Sequence, residues 1–379
     1  MAKAPHIAFS FIGGQHQFLH GAPVVAALSK HAGVTVEAFV LDAADAAALR
    51  DLLDQLGASD VPITTMVLPA PLEALLRRLQ GDTSAKFKVP RLIWWSGRMR
   101  SADLIVTLER TSTVLKRLPG HCPPMAHIPH GAGDGAKGYD QRIRYFDYVL
   151  VGGEKDRKRM IAFGLAKPER VSVAGYIKLA GLKRIRGAQR PRLFDNDRPT
   201  VLYNAHWNVK LNSWAGYSEN VIAQFAASRR FNLIVAPHVR LFEKASSQVR
   251  AQLEALSDPD WLLVDTGSER SIDMTYTLAA DIYLGDISSQ VYEFCTRPRP
   301  CIFINATGVE WQDDPHFSMW HLGEVIHDAA ELMPAIDAAL ADPDQKREQQ
   351  IKAVRYSLGD PEDDAAERAA GQLLAILGT

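Results

Sequence analysis

The chain holds 379 residues, 47% of them hydrophobic and 23% charged. That length suits two domains of average size, and that balance excludes a disordered chain. Lys and Arg number 43 against 44 Asp and Glu, and the net charge of −1 excludes the broad basic face of a protein that wraps nucleic acid.

In chain order, strand-like apolar runs alternate with helical patterns, the signature of βα units and a mostly parallel sheet. Residues 6–12 (HIAFSFI) read as the first strand, ended by Gly13-Gly14. A helical stretch over 21–31 leads to a second strand at 34–41, and further helices are expected at 43–56 and 71–79. Strands at 104–108, 125–128 and 148–151 complete the first half. KRIRGAQRPRLFDNDRP, 183–199, is polar, aperiodic and holds two prolines, which marks a linker. The alternation then restarts, with strands at 200–203, 232–236, 262–265, 281–284 and 301–304 and a helix at 215–229. An Ala/Leu-rich helix opened by Asp-Pro-Glu-Asp-Asp ends the chain. The expected α/β architecture is two Rossmann-like, doubly wound domains with a ligand cleft between them. The first covers 1–185, a linker covers 186–199, and the second covers 200–379, its last helix available to pack back on the first.

Cys122, Cys295 and Cys301 form no Cys-x-x-Cys pair, which argues against a disulfide framework or a thiolate zinc site. No apolar run approaches the roughly 18 residues of a membrane span, and MAKAPHIAFSF is too short for a signal peptide. The expectation is a cytoplasmic protein, with a peripheral place on the inner face of the membrane left open.

Ligands of such sheets lie beyond the carboxyl ends of the strands. In DIYLGDISSQVYEF, 281–294, a strand runs into a Gly-Asp turn, and Ser288-Ser289 open a helix whose N–H groups and dipole suit a phosphate. Asp286, Ser288, Ser289, Gln290 and Glu293 are the candidates there, and a plain helix cap at Asp286 or Ser288 is the competing reading. PHGAGDGAKGYD, 129–140, follows another strand. Its glycines let a ligand approach the backbone, and His130 is placed to act as a base near neutral pH. Asn204, His206 and His238 follow strands of the second half, and Gly13, Gly14, Gln15 and His16 follow the first strand. Each of these also fits a loop residue held by backbone hydrogen bonds. His16 and His20 have i, i+4 spacing without an accompanying glutamate, so no metal is expected. Last, KFKVPRLIWWSGRMR, Lys86 to Arg100, sets five basic residues around Phe87, Trp94 and Trp95. That suits an anionic membrane surface, and equally a solvated rim over buried tryptophans.

Five segments in order carry a family resemblance: His130-Gly131 with Lys137, Val173-Ala174-Gly175-Tyr176, Leu202 to Trp207, Ala236-Pro237-His238-Val239, and Asp286-Ile287-Ser288-Ser289 with Glu293-Phe294. Together they resemble the CDP-glycerol glycerophosphotransferase family, which includes teichoic-acid primases and polymerases of the GT-B fold. The chain departs from the family pattern at Pro129, Val239 and Ile287, which replace Trp, Pro and Tyr, and Lys137 sits further from His130. The resemblance implies a GT-B-like fold and transfer of a glycerophosphate from a CDP-activated donor to an acceptor on a lipid-linked or envelope glycoconjugate. By the same resemblance His130 and His238 are the catalytic residues. Asp286, Ser288, Ser289, Gln290, Glu293, Asn204 and His206 serve the nucleotide and its phosphates, and Gly13, Gly14, Gln15, Gly131 and Lys137 serve the acceptor. It implies no cofactor, no metal and no nucleic acid. It also gives Lys86 to Arg100 a use at an anionic membrane. A nucleotide-sugar glycosyltransferase, a UDP-sugar 2-epimerase and a non-catalytic nucleotide-binding protein are the alternatives.

Overall fold

The computed structural model describes residues 4–80, 87–131, 140–187, 189–208 and 211–378. They divide into two units, one built from the described residues of 4–187 with 356–378, the other from those of 189–355.

Seven parallel strands form the first sheet: β1 (His6–Phe11), β2 (Thr35–Val40), β3 (Ile63–Thr65), β4 (Leu104–Thr107), β5 (Met125–His127), β6 (Tyr148–Val151) and β7 (Val171–Val173). Their order is β3-β2-β1-β4-β5-β6-β7, with the chain reversing direction across the sheet at the β1/β4 boundary. Helices α1 (Ala22–Leu28), α2 (Ala43–Gln55), α3 (Ala70–Gln80), α4 (Lys88–Trp94), α5 (Ser96–Met99) and α6 (Glu154–Ala162) lie between them, and α7 (Ile177–Arg186) follows the last. Side chains alternate across a strand. Ile7, Phe9 and Phe11 therefore pack with Val24, Val25 and Leu28 on one face, while Ala8 packs with Phe39, Leu92 and Ile105 on the other. Asp42 caps α2 by accepting the Asp45 N–H.

Six parallel strands form the second sheet: β8 (Thr200–Asn204), β9 (Asn232–Val235), β10 (Leu262–Val264), β11 (Ile282–Gly285), β12 (Cys301–Ile304) and β13 (Glu324–Ile326), in the order β10-β9-β8-β11-β12-β13. Helices α8 (Trp214–Ser228), α9 (Ser247–Glu254), α10 (Thr275–Ala279), α11 (Gln290–Phe294) and α12 (Leu332–Ala341) belong to it. Val201, Leu233, Ile282 and Ile302 share its core with Phe225 of α8 and Ile336 of α12.

Beyond them run α13 (Arg347–Leu358) and α14 (Ala365–Leu377). The second unit ends at Arg355 rather than at 379, because the chain re-enters the first unit at Tyr356. Ala365, Ala366, Ala369, Ala370 and Leu373 give α14 a buried face of mostly small side chains that sits closely on α1 and α7. Gly153 makes room for this segment: a Cβ there would lie 2.5 Å from the Ser357 carbonyl carbon.

Three strands escape the sequence reading, β3, β7 and β13. Each has three residues and lies at a sheet edge, too short for a period-2 pattern to register. α7 continues to Arg186, so the first residues of the aperiodic 183–199 stretch are helical. Arginines of the linker bind the second unit, with Arg190 2.7 Å from Asp281 and Arg198 3.0 Å from Asp260. No described helix is long and apolar enough to cross a membrane.

Candidate functional site

In the first unit the carboxyl ends of β1, β4 and β5 gather a polar cluster. β1 gives way through Gly13-Gly14 to a 3-10 turn, Gln15–His20, with Gln15 and His16 exposed and Gln17 and His20 buried. β4 is followed by Glu109, and β5 by His130 and the exposed Gly131, whose φ of 83° favours glycine. The His130 ring centroid lies 5.7 Å from that of His16 and 6.3 Å from that of His20, which in turn stands 5.6 Å from the Tyr176 ring.

His130 Nε2 is 3.2 Å from Gln17 Nε2, and its Nδ1 is 3.3 Å from the Leu108 carbonyl oxygen. An amide NH2 only donates and a carbonyl only accepts, so Nδ1 carries the proton and Nε2 the lone pair. The Gln17 amide is oriented in turn by Glu109, which accepts from the same Nε2 at 3.2 Å and sits 3.6 Å from Lys88 Nζ. Burial lowers the His130 pKa, with Glu109 pulling the other way, and burial beside Lys178 holds His20 well below its ordinary value. The rings are therefore neutral at pH 7. His127 has a structural place: its ring stacks on Phe146 at 4.6 Å, and burial takes it down to about 3. Lys137 lies outside the described residues.

In the second unit the carboxyl ends of β8, β9 and β11 gather His206, His238 and Asp286. Asp286 is fully buried. One of its carboxylate oxygens accepts the His206 N–H at 2.8 Å and the Ser213 N–H at 3.0 Å, tying the loop after β8 to β11. Its other oxygen is buried without a hydrogen-bond partner among the described residues, and burial raises the carboxyl to about 6. His206 Nδ1 accepts the Asn208 N–H and His238 Nδ1 the Arg240 N–H, both at 3.2 Å. With Nδ1 accepting, each ring carries its proton on Nε2. The two ring centroids are 6.2 Å apart, and burial with the neighbouring His206 lowers His238 to about 4. The Arg240 guanidinium lies 4.3 Å over the Trp207 ring.

Other candidates stand differently. Asn204 is buried and its amide is committed, donating to the Ala236 carbonyl at 2.7 Å and accepting from the Tyr283 hydroxyl at 3.1 Å. α11 begins at Gln290 and has five residues. The Ser288 N–H points at Met319 Sδ, and the Ser288 hydroxyl accepts the Gln290 N–H, both at 3.2 Å. The Gln290 amide donates to the Ser271 carbonyl. Ser289 is half-buried at the helix start without a side-chain cap bond, and Glu293 is buried within α11.

The described basic side chains of the segment are largely engaged by partners within the first unit. Arg91 is buried against the Leu41 and Met66 carbonyls, Arg98 pairs with Glu37 at 2.8 Å, and Arg100 donates to the Pro119 carbonyl. Lys86 lies outside the described residues. Arg98 remains exposed, as do the apolar side chains Val89, Ile93 and Trp94 of α4 and Leu75 and Leu79 of α3. Among the described residues no group of three His, Cys, Asp or Glu side chains is arranged to hold a metal ion. A cavity of about 620 Å3 opens at the amino ends of β8, β9, β11 and β12, the side of a parallel sheet that does not bear ligands.

Gln17, Glu109 and Lys88 are the members of the first cluster that the sequence did not single out as site residues. Glu109 carried a usable signal, its place directly after an apolar strand.

No family model and no curated protein sequence matches the chain. Solved structures do match it in fold. UDP-GlcNAc 2-epimerase from Neisseria meningitidis, bound to UDP-GlcNAc, superposes with a TM-score of 0.60 at 12% identity over 98% of each chain. MnaA of S. aureus, solved with UDP, gives 0.63 at 13% over 99% of this chain and 97% of its own. The wall teichoic acid polymerase TagF, soaked with CDPG, gives 0.62 at 13% over 99% and 88%. At these identities the likeness is one of fold, and it agrees with a GT-B-like pair of Rossmann-like domains.

Proposed function

We propose that the chain is a nucleotide-dependent transferase that moves a glycerophosphate, or a similar phospho-alcohol, from a CDP-activated donor to an acceptor hydroxyl. One observation carries the reading: the histidines at the strand ends have opposite tautomers. His206 and His238 offer Nε2–H donors, which suit the oxygens of a diphosphate. His130 offers an Nε2 lone pair, which suits the removal of a proton.

In the proposed reaction His130 Nε2 takes the proton of the acceptor hydroxyl while that oxygen attacks the distal phosphorus of the donor. The bond from that phosphorus to the bridging oxygen breaks, and CMP leaves with the electron pair. His238, His206 and the Ser289 hydroxyl hold the diphosphate, and Asp286 fixes the loop that carries His206. Gly14, Gln15 and Gly131 lie where the acceptor would enter, while the space at Gly13 is taken by the Gln17 side chain. Positioning and charge stabilisation supply most of the rate in phosphoryl transfer.

A UDP-sugar 2-epimerase is the second reading, favoured by the whole-chain likeness to the Neisseria meningitidis enzyme. A thermal-shift panel of CDP, UDP, GDP, CMP and CDP-glycerol tests both. A ligand at a hundredfold excess over its Kd stabilises the fold by about 2.7 kcal/mol. Stabilisation by CDP-glycerol followed by CMP release supports the transferase. Preference for UDP with interconversion of a UDP-sugar replaces it by the epimerase. Binding without turnover leaves a nucleotide-binding protein.

A further inference from the structure

The resting geometry of His130 contains a conflict. The lone pair that a base must present is already occupied by the Gln17 amide at 3.2 Å. Gln17 is itself buried, with its amide oxygen unpartnered among the described residues. Glu109 explains the orientation, since a flipped amide would set two oxygens against each other at 3.2 Å. Gly13 explains the position. A Cβ at residue 13 would fall 1.7 Å from Gln17 Oε1 and 2.3 Å from Gln17 Nε2, so only glycine lets Gln17 fold back over the end of β1.

We propose that Gln17 is a positioning residue that holds His130 as its Nδ1–H tautomer and occupies Nε2 until the acceptor hydroxyl displaces the amide. Gly13 and Glu109 keep Gln17 in that place. The displaced amide gives up one N–H bond while the hydroxyl takes over the lone pair, so the base is bonded both before and after the acceptor arrives. The inference rests on the reading of His130 as the base, and its test does not need turnover.

Among the described residues, the charged and titratable groups around His130 are Glu109 and Arg110 after β4, Lys88 at the start of α4, His16 and His20 in the turn after β1, Lys178 in α7 and His127 in β5. The experiment is 15N NMR of the full-length protein with labelled histidine, with His130 assigned by His130→Gln. Wild type is expected to show a pyridine-like Nε2 and a pyrrole-like Nδ1. In Gln17→Glu the new carboxylate beside Nε2 favours the imidazolium, and the proton affinity of His130 is expected to rise about tenfold or more, one pH unit in its midpoint. Gly13→Ala leaves the chemistry of Gln17 intact but pushes it aside, and it too is expected to move the His130 resonances. Gln17→Leu preserves the packing volume and removes only the bond, so it serves if Gln17→Glu does not fold. His130 resonances and midpoint unchanged in the folded variants would overturn the inference. A nucleotide panel without any hit would instead sink the transferase reading and leave these titrations standing.

Discussion

A neutral imidazole can be a base or a donor, and the choice is made by whatever engages its other nitrogen. At His238 and His206 a backbone N–H two residues on takes Nδ1, while at His130 a carbonyl takes it. On the proposed mechanism His130→Ala lowers turnover by about a hundredfold to ten-thousandfold, with nucleotide affinity unchanged. Wild-type turnover in that variant, measured as CMP release, removes His130 from its role. Asp286 yields a pH prediction. Its carboxyl titrates at about 6 in the folded chain, above its ordinary value, so the folded state holds a proton that the unfolded state has lost. That contribution is full below the ordinary carboxylate range and is lost as pH rises through about 6. Asp286→Asn keeps an oxygen for the His206 and Ser213 N–H groups and abolishes the titration. Urea midpoints should therefore favour wild type over the variant more at about pH 5 than at about pH 7, and a difference independent of pH counts against it. The histidines were legible from their places after strands. Gln17 was not, because its partner Glu109 lies 92 residues away.

Among the elements, α11 and α14 are the instructive pair. The segment at 281–294 has the composition of a phosphate-binding helix start, yet α11 spans five residues and two of the backbone donors at its start are already engaged by Met319 and Ser288. On the proposed reading, the Nε2–H of His238 is a further donor for a diphosphate. α14 was legible as a helix, from its acidic start and its Ala/Leu-rich composition. Its membership of the first unit depends on how small its buried face is, which decides how near it can come to α1 and α7. Leu373 is fully buried there, so Leu373→Ala should cost about 2–5 kcal/mol in a denaturant titration. A loss under about 0.5 kcal/mol, the range of a surface substitution, would show that this face does not hold the unit together.

Across the whole molecule, a net charge of −1 conceals uneven placement of basic residues, but most of those at 88–100 are spent on internal partners. A membrane reading therefore rests on exposed apolar side chains, Leu75, Leu79 and Trp94, at 52%, 70% and 57% exposure. Such side chains suit an interfacial zone. We expect the combined change of these three to serine to reduce co-sedimentation with anionic vesicles, and equal pelleting of both proteins would retire the membrane reading. The sequence by itself determined two α/β halves, their parallel sheets and histidines at the strand ends. Those follow from local periodicity and from the short reach between a strand and the loop after it. Only the tertiary structure decided the edge strands, the return of the chain at Tyr356, the amide seated on His130 and the buried state of Asp286. Each of these depends on partners remote in sequence, whose distance and desolvation no local pattern encodes.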